Sequence, residues 1–457
     1  MDREAGHNGE EVIPPLHSKT VKTVLNIFIL KCFSLFLTTA LYWVIALFFG
    51  AEAVGAFGFY FSFVTIGVLV ASFGFGNAVL KLSGAISSEQ ELVDVSQTYR
   101  IMLRLAASAS AVLSLLILIL AEYLAEVFLD DGAKASVFYS AAIAILPFSL
   151  LEISSEVIRG RGKTNLYMIF KEAGIWVVAA PILFFLLSSH YGYMSPIFAH
   201  LIGVVILSVL GILVTQELLK TKEGLSGTAL KIKSLLKLSF PMQMSKGLNW
   251  SSLWIDILII GPFVGPELVG AYLILNRVAA YAQQISYSIN VYVAPRIAYH
   301  YQQKRMQHLS QLTCDSVRYG VWIVIPFIIL LGVAGKPILG LFDNEGNEVQ
   351  VISHYLPFVI LLLANFVDTS CGPVGYLLNM TGKEQSSVHI MVTTTIVRII
   401  FLLVLVGYFE MGLLGAALAH LGFVLVWNIV SLVVIQKHLS FIPAYIPLWK
   451  TQVQKNR

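Results

Sequence analysis

The chain has 457 residues, of which 57% are hydrophobic and only 12% are charged, and its formal net charge is +4. A soluble protein carries about 25% charged residues, so this chain lacks the polar surface that a water-facing globule needs. The composition excludes a soluble globular domain and predicts a protein whose solvent is the lipid bilayer.

The first 23 residues are polar, and the apolar run that follows from Val24 is too long for the hydrophobic core of a signal peptide. We therefore expect residues 1–23 to form a short cytoplasmic arm. The three cysteines, Cys32, Cys314 and Cys371, lie in or beside apolar runs without a paired spacing. They indicate neither a disulfide framework nor a metal site, and no sequence motif predicts a cofactor.

Apolar runs predict an all-α integral membrane protein with twelve transmembrane helices, because a helix needs about 20 such residues to cross the hydrocarbon core. The first six spans are predicted at 24–49, 55–81, 104–128, 136–158, 166–188 and 194–217. The second six are predicted at 238–262, 267–294, 315–335, 350–379, 385–408 and 412–436, the tenth with a kink at Gly372 and Pro373. The predicted domains are an N-terminal arm (1–23), an N-terminal six-helix bundle (24–217), a basic cytoplasmic linker (218–237), a C-terminal six-helix bundle (238–436) and a cytoplasmic tail (437–457).

Lysine and arginine predict the orientation, because cytoplasmic loops are enriched in both. With both termini in the cytoplasm, the inner loops and tails hold most of the 30 basic residues, whereas the outer loops hold Lys134 and Lys336 beside several acidic residues. No loop is long enough for a catalytic domain, so we expect a protein that is not an enzyme.

Short sequence echoes predict that the second half repeats the first. GAEAVGAF at Gly50 returns as GPELVGAY at Gly265, an offset of 215. GKTNLYMIF at Gly162 and GKEQSSVHI at Gly382 are offset by 220, as are PIFAHL and AALAHL, which contain His200 and His420. Because six spans is an even number, the second bundle enters the membrane as the first does, which predicts a parallel repeat with a substrate site between the halves.

Basic residues within predicted spans are candidates for a functional site, since charge inside the hydrocarbon core is costly and faces an interior cavity. Lys31 and Lys246 lie about 10 Å from the cytoplasmic ends of their spans, where snorkelling to the headgroups is an equal alternative. Arg277 and Arg398 lie about 15 Å deep, which favours a functional or paired role.

Acidic residues in the spans are Asp256, Asp368, Glu152 and Glu156. Asp256 follows Trp250 and Trp254, so a solvated carboxylate in an aromatic belt is an alternative there, whereas Asp368 is deeper. Glu156 and Arg159 are spaced for a local ion pair.

Two polar stripes predict helices that line a hydrophilic cleft, because a polar face inside a membrane needs water or protein beside it. The seventh span carries Ser245, Asn249, Ser252 and Asp256, and the eighth carries Arg277, Tyr281, Gln284 and Ser288, with Asn276, Gln283 and Asn290 beside them. His200 and His420 occupy matching positions, and packed, hydrogen-bonded histidines are the commoner interpretation. The stretch RGRGKTN resembles a phosphate-binding loop, but Val157 stands where that loop needs glycine.

The arrangement resembles the polysaccharide (O-antigen-type) flippase family of the multidrug/oligosaccharidyl-lipid/polysaccharide exporter superfamily. The resemblance covers nearly the whole chain and rests on SFPMQMSKGLNWSSLWIDILIIG followed by GPELVGAYLILNRVA. Its marks are loose: Pro241, Asp256, the junction from Gly270 to Tyr272, and Arg277. It implies movement of an undecaprenyl-pyrophosphate-linked sugar unit from the inner to the outer leaflet of a bacterial plasma membrane, by alternating access coupled to an H⁺ or Na⁺ gradient, with a polysaccharide polymerase as a further partner.

A cleft that lowers the barrier for such a headgroup needs cations for the diphosphate and polar side chains for the sugar hydroxyls. We therefore expect substrate binding by Lys31, Lys246, Asn249, Arg277, Gln284 and Arg398. Asp368 and Asp256 are the candidates for ion coupling. The main alternative is a multidrug or organic-cation antiporter of the same superfamily, which would favour an acidic cleft, and a membrane glycosyltransferase or polymerase ranks below it.

Overall fold

The computed structural model describes residues 18–86, 88–129, 131–187, 191–220, 228, 230–343 and 349–444. Within these ranges it describes the side chains of all residues except 18–32, 133, 164, 172, 238, 240–242, 244–246, 248–252, 291 and 295. The described chain is almost entirely helical and contains no β-strand. The predicted all-α class is confirmed.

The first half of the chain forms seven helices. They are α1 (Ser18–Ala71), α2 (Phe75–Gly84), α3 (Glu89–Leu129), α4 (Ser136–Gly160), α5 (Thr164–Met168), α6 (Gly174–Leu186) and α7 (Ser195–Leu218). A π-helical turn, Ile169–Ala173, joins α5 to α6, and the 3-10 turns Gly132–Ala135 and Gly192–Met194 precede α4 and α7.

The second half of the chain forms six helices. They are α8 (Ile232–Gln302), α9 (Met306–Gly340), α10 (Tyr355–Cys371), α11 (Val374–Met380), α12 (Glu384–Leu402) and α13 (Gly412–Leu439). The 3-10 turn Val351–His354 precedes α10, and the π-helical turn Leu403–Tyr408 extends α12. Since α8 begins at Ile232, the last residues of the stretch that the sequence assigns to a linker are helical.

The two longest helices, α1 and α8, each reverse at a single glycine. Gly50 has φ 83° and Gly265 has φ 76°, a left-handed conformation that only glycine adopts without strain. The reversal brings the rings of Tyr42 and Phe57 to 5.8 Å, and the Tyr272 hydroxyl to 3.4 Å from Asp256. Each long helix therefore supplies two antiparallel spans.

The described helices account for the twelve predicted spans. Nine are long and apolar enough to cross a bilayer, or ten when the bent pair Asn165–Lys171 and Gly174–Leu186 is counted as one span. Dividing α1 and α8 at their glycine breaks brings the number to twelve. The predicted kink of the tenth span is confirmed, since Gly372 has φ 81° between α10 and α11.

The backbone itself carries the predicted repeat. Gly162 and Gly382 have φ 76° and 79°, and Gly192 and Gly412 both have φ 53°. Both pairs are offset by 220 residues, as the sequence echoes are. Turns with the same unusual conformation therefore recur at matching points of the two six-helix halves, which confirms the parallel repeat.

The two halves meet at one end of the molecule and separate toward the other. We call the end that carries Gly50 and Gly265 the glycine end. We call the opposite end, where Lys81, Arg159 and Lys383 lie, the basic end. At the glycine end α1 packs against α8, and Nε1 of Trp43 donates a hydrogen bond to the Leu341 carbonyl across the halves at 2.7 Å. Cavities between the halves occupy the rest of the interface.

Candidate functional site: the cavities between and beside the halves

A first cavity, the inner cavity, lies between the halves at the basic end and has a volume of about 570 Å³. Helices α1, α2 and α4 line it from the first half, and α8 and α11 line it from the second. The side chain of Arg159 at its rim is 42% exposed, so the cavity reaches solvent at this end.

Two ion pairs occupy one wall of the inner cavity. Glu152 on α4 pairs with Lys171 on the π-helical turn, and both side chains are 19% exposed. Glu156 pairs with Arg159 at 3.4 Å, and the Arg159 guanidinium lies 5.2 Å from the ring centre of Tyr167. The predicted pair of Glu156 and Arg159 is confirmed, and the two carboxylates of this wall are balanced by two cations.

A second cavity, the central cavity, lies deeper between the halves and has a volume of about 260 Å³. Residues of α1, α4, α6 and α7 line it from the first half, and residues on both sides of the Gly265 break line it from α8. Lys171 lines this cavity as well as the inner one, so the two cavities meet at its side chain.

Two cations face the central cavity. Arg277 lies twelve residues beyond Gly265, about 18 Å from the glycine end, and its guanidinium lies 5.0 Å from the ring centre of Tyr42. Lys171 approaches from the opposite half. Among the described residues that line this cavity there is no carboxylate, so its walls favour an anionic group.

The π-helical turn Ile169–Ala173 explains why Lys171 reaches this position. A π-helical turn inserts one extra residue into a helix, and it is frequent at functional sites. The turn joins helix segments bent by 45° to each other. The bend turns the side chain of Lys171 toward Glu152 and both cavities instead of toward the end of the helix.

Aromatic rings form one wall of the central cavity. The rings of Phe61 and Trp176 stack with an interplanar angle of 20° and centres 6.0 Å apart. Phe61 also contacts Trp254 of the second half at 4.7 Å. His200 joins this wall through Nδ1, which lies 2.9 Å from the hydroxyl of Tyr60. The predicted packed histidine is confirmed for His200.

A third cavity, the C-half cavity, lies within the second half and has a volume of about 410 Å³. A buried ion pair between Asp256 and Arg398 joins α8 to α12, with the two side chains 0% and 3% exposed. Nδ1 of His420 lies 2.9 Å from the Arg398 guanidinium, and the Phe423 ring lies 4.7 Å from it. These contacts hold the guanidinium of Arg398 inside the second bundle.

Asp368 faces the C-half cavity from α10. Its Oδ1 accepts a hydrogen bond from the Asn428 amide of α13 at 3.0 Å. Among the described residues no group of three or more histidine, cysteine, aspartate or glutamate side chains could hold a metal ion. Asp256 and Asp368 therefore share a cavity wall in the same half without forming such a cluster.

The structure separates the sequence-predicted site residues into two groups. Arg277 and Gln284 line the central cavity, whereas Arg398 and Asp368 line the C-half cavity beside Asp256. The alternative of a solvated Asp256 is wrong, because Arg398 pairs with it in the interior. Lys31, Lys246 and Asn249 lie outside the residues whose side chains are described, so their assignments stay predictions.

The polar stripes have the predicted environment where their side chains are described. Arg277 and Gln284 face the central cavity, and the Tyr281 hydroxyl donates to Oγ1 of Thr39 on the first helix at 2.9 Å. The flanking residues Asn276, Gln283 and Asn290 face the C-half cavity. The second part of α8 therefore separates the central cavity from the C-half cavity and presents polar groups to both.

Sequence reasoning missed Lys171 as a site residue. Hydropathy places Lys171 near the start of the fifth predicted span, where a lysine is counted with the cytoplasmic end. The available signal was Glu152, an acidic residue inside the preceding span that needs a cationic partner. The aromatic wall was missed because phenylalanine and tryptophan are ordinary residues of membrane spans.

A family model, MatE, matches residues 27–185 and again residues 241–404. The start of the match moves by 214 residues, from 27 to 241, and its end by 219, from 185 to 404. One model that matches each half at nearly the offsets of the sequence echoes is further support for the repeat.

Comparisons with known proteins find a flippase and transporter fold. A probable low-salt glycan biosynthesis flippase, Agl15, of Haloferax volcanii is 24% identical over 375 residues, which cover 81% of this chain and 74% of that protein. The inward-facing structure of a multidrug resistance MATE family transporter of the MOP superfamily has a TM-score of 0.71 at 16% identity, covering 88% of this chain and 94% of that one. Lipid II flippase MurJ in an inward closed conformation has a TM-score of 0.72 at 15% identity, covering 90% and 87%. The structural likeness shows a shared fold of twelve helices in two bundles.

Proposed function

Because the chain belongs to the MatE family, we propose that it is a flippase that moves a lipid-linked oligosaccharide across a membrane by alternating access. Two features support this proposal. The halves contact each other at the glycine end and are separated by cavities that reach solvent at the basic end. A substrate site between two repeated halves, with access from one side at a time, is what rocking of the halves requires.

The observation that carries the proposed substrate is the cationic lining of the central cavity. Lys171 and Arg277 face it from opposite halves, and its described lining holds no carboxylate. A diphosphate headgroup cannot cross about 30 Å of hydrocarbon unaided, and guanidinium and ammonium groups form its strongest hydrogen bonds. We infer that the headgroup diphosphate binds between these two residues while the lipid tail stays in the bilayer.

The finer parts of the proposal extend the sequence resemblance. We propose an undecaprenyl-pyrophosphate-linked unit of the O-antigen type, moved from the inner to the outer leaflet of a bacterial plasma membrane. Both chain ends and the basic end then lie in the cytoplasm. Asp256 and Asp368 remain the proposed groups for coupling to H⁺ or Na⁺, and a polymerase that consumes the product remains a proposed partner. Lys31, Lys246 and Asn249 remain proposed substrate contacts.

A multidrug or organic-cation antiporter is the second candidate function. The carboxylates of Glu152 and Glu156 in the inner cavity favour it, since a cationic substrate needs acidic partners. Each carboxylate, however, pairs with a cation of the same wall, Lys171 or Arg159. The balance of charge in this cavity and the cationic central cavity favour the lipid-linked glycan.

A deletion strain distinguishes the two functions. We expect loss of surface polysaccharide and accumulation of the lipid-linked intermediate on the inner leaflet, with restoration of both by the wild-type chain. Unchanged surface polysaccharide together with increased sensitivity to cationic drugs would establish the antiporter instead.

Substitution of Arg277 tests the headgroup assignment in the same strain. Arg277→Ala removes the cation, and Arg277→Lys retains the charge without the bidentate geometry. We expect no complementation by the first variant and partial complementation by the second. Arg296→Ala is the matched control, since Arg296 also stacks on a tyrosine, Tyr292, but on the exposed surface of α8. Full export by Arg277→Ala at a normal protein level would contradict the assignment.

A further inference from the structure

His200 presents an unmatched hydrogen-bonding atom at the central cavity. The side chain is 1% exposed, and its Nδ1 is already engaged by Tyr60. Its Nε2 is buried and has no hydrogen-bond partner among the residues that the structure describes. A buried polar atom without a partner is costly, so this nitrogen is suited to a polar group of a bound ligand.

The aromatic wall next to His200 has the shape of a stacking surface. Phe61 lies between Trp176 and Trp254, and the ring centre of Trp176 lies 5.2 Å from that of His200. An aromatic face attracts the weakly positive C–H groups of a neighbouring ring because its own electron density is negative. A pyranose has one or two such C–H faces and a rim of hydroxyl groups, so it matches an aromatic face that has a polar nitrogen at its edge.

We propose that the central cavity recognises the sugar that is bonded directly to the diphosphate. The pyranose ring packs against the aromatic wall of Phe61, Trp176 and Trp254, and one hydroxyl pairs with Nε2 of His200. Lys171 and Arg277 hold the diphosphate. This inference rests on the proposed function and adds that the protein reads a sugar, in addition to a charged lipid.

The cavity volumes limit this recognition to the first sugar. The central cavity, at about 260 Å³, is close to the lower limit of about 300 Å³ for small-molecule sites and has room for one ring beside the diphosphate. The inner cavity of about 570 Å³ adjoins it at Lys171 and takes the sugars that follow. We therefore expect selectivity for the first sugar and tolerance of changes farther along the glycan.

Binding of two kinds of lipid separates sugar recognition from diphosphate binding. The first probe is a polyprenyl diphosphate without sugar. The second is a panel of the same lipid carrying glucose, galactose, N-acetylglucosamine or N-acetylgalactosamine. Affinities are measured with the full-length protein in nanodiscs. We expect at least one sugar-bearing lipid to bind about tenfold more tightly than the sugar-free lipid, from one hydrogen bond and one stacking contact.

Paired substitutions of His200 test the role of Nε2. The amide of His200→Asn takes the place of Nδ1 and leaves Nε2 unreplaced, whereas the amide of His200→Gln takes the place of Nε2. We expect His200→Asn to weaken the sugar-bearing lipid about fivefold, as one neutral hydrogen bond predicts, without affecting the sugar-free lipid. His200→Gln keeps the preference. His389→Gln, at an exposed position on α12, is the control.

Substitution of Trp176 tests the stacking surface in the same way. We expect Trp176→Leu to remove most of the preference for a sugar while the sugar-free lipid binds as before. Trp322→Leu is the matched control, because Trp322 is 68% exposed on the outside of α9. Lys171→Gln should instead weaken both probes alike, since it acts on the diphosphate.

Three results would overturn the proposal. Equal affinity of the wild type for the sugar-free lipid and every sugar-bearing lipid would contradict it, as would equal weakening of both probes by His200→Asn and Trp176→Leu. In these two cases the flippase function stands, because the diphosphate lipid still binds. If the wild type binds neither probe, the proposed function and this inference are both wrong.

Discussion

Gly270 lies directly against Gly55, where an ideal Cβ on Gly270 would be 3.0 Å from the backbone nitrogen of Gly55. The same Cβ would also overlap the carbonyl of Ala51, and a Cβ on Gly55 would overlap the carbonyl of Pro266. Both the glycines and the residues that they contact are 215 positions apart. The two halves therefore meet at the glycine end through symmetry-related contacts of bare backbone, which must separate before the substrate can leave at that end.

A larger side chain at this contact should shift the conformational equilibrium. We expect Gly55→Val and Gly270→Val to prevent closure of the glycine end, because backbone atoms cannot move aside as side chains can. Transport should fall at least about tenfold, which requires a shift of only about 1.4 kcal/mol between the two conformations. Distances between spin labels on α3 and α9 at the glycine end would measure the opening.

Gly332→Val is the control for this prediction, because an added Cβ at Gly332 meets no atom within 4 Å. This variant should transport normally and keep the wild-type distances. Wild-type transport and unchanged distances in Gly55→Val would mean that the glycine contact does not restrict the conformational change.

The ion pair between Asp256 and Arg398 predicts an unequal response to single and double substitutions. Removal of one partner leaves the other as an uncompensated charge in the interior, which costs about 3–5 kcal/mol. We therefore expect Asp256→Asn and Arg398→Gln each to lower the thermal unfolding temperature strongly. The double variant Asp256→Asn/Arg398→Gln should be less destabilised than the sum of the two, since it leaves no charge unpaired.

Asp315 and Arg318 provide the exposed comparison, since they lie 3.8 Å apart with side chains 41% and 63% exposed. Asp315→Asn should change the unfolding temperature little, because exposed ion pairs contribute weakly. Strictly additive effects at Asp256 and Arg398 would show that the two side chains do not stabilise each other in the membrane.

The fold could be predicted from the sequence because its signals are strong and one-dimensional. The length of each apolar run gives a span, and the distribution of lysine and arginine gives the direction. Gly50 and Gly265 recur in the same short sequence, and the structure shows the shared reason, a left-handed conformation at each reversal. The twelve spans and their repeat follow from these signals alone.

The site could be predicted only in part, because it depends on which helix faces meet. Hydropathy gives the depth of Asp256 and Arg398 but not their partnership, which joins residues 142 positions apart. The position of Lys171 depends on a π-helical turn, which no sequence period reveals. Arg277 and Gln284 were found because a polar stripe within an apolar helix is itself the signal of a cavity.

The ion pair of Lys171 with Glu152 predicts competition between a carboxylate and the substrate. Lys171 can engage a diphosphate only as far as it is released from Glu152. We expect Glu152→Gln to strengthen binding of a polyprenyl diphosphate about tenfold and Lys171→Gln to weaken it about tenfold, the range for one charge-assisted hydrogen bond. Quenching of the intrinsic fluorescence of Trp176 and Trp254, which line the central cavity, would measure the affinity.

Glu217→Gln is the control for this competition, since Glu217 pairs with Lys220 at 3.4 Å on the exposed end of α7. Its affinity for the diphosphate lipid should equal that of the wild type. Weaker binding by Glu152→Gln would mean that the carboxylate orients Lys171 for the substrate instead of competing with it.

The orientation of the chain decides the direction of transport, and two single cysteines test it. The native cysteines, Cys32, Cys314 and Cys371, are first replaced by serine. Ser353→Cys then places a thiol at the exposed glycine end, and Glu384→Cys places one at the exposed basic end. We expect a membrane-impermeant maleimide to label the first in intact cells and the second only after permeabilisation, because basic loops stay in the cytoplasm. Labelling of Glu384→Cys in intact cells would place the open cavities at the outer face, and the structure would then describe the state that releases the substrate.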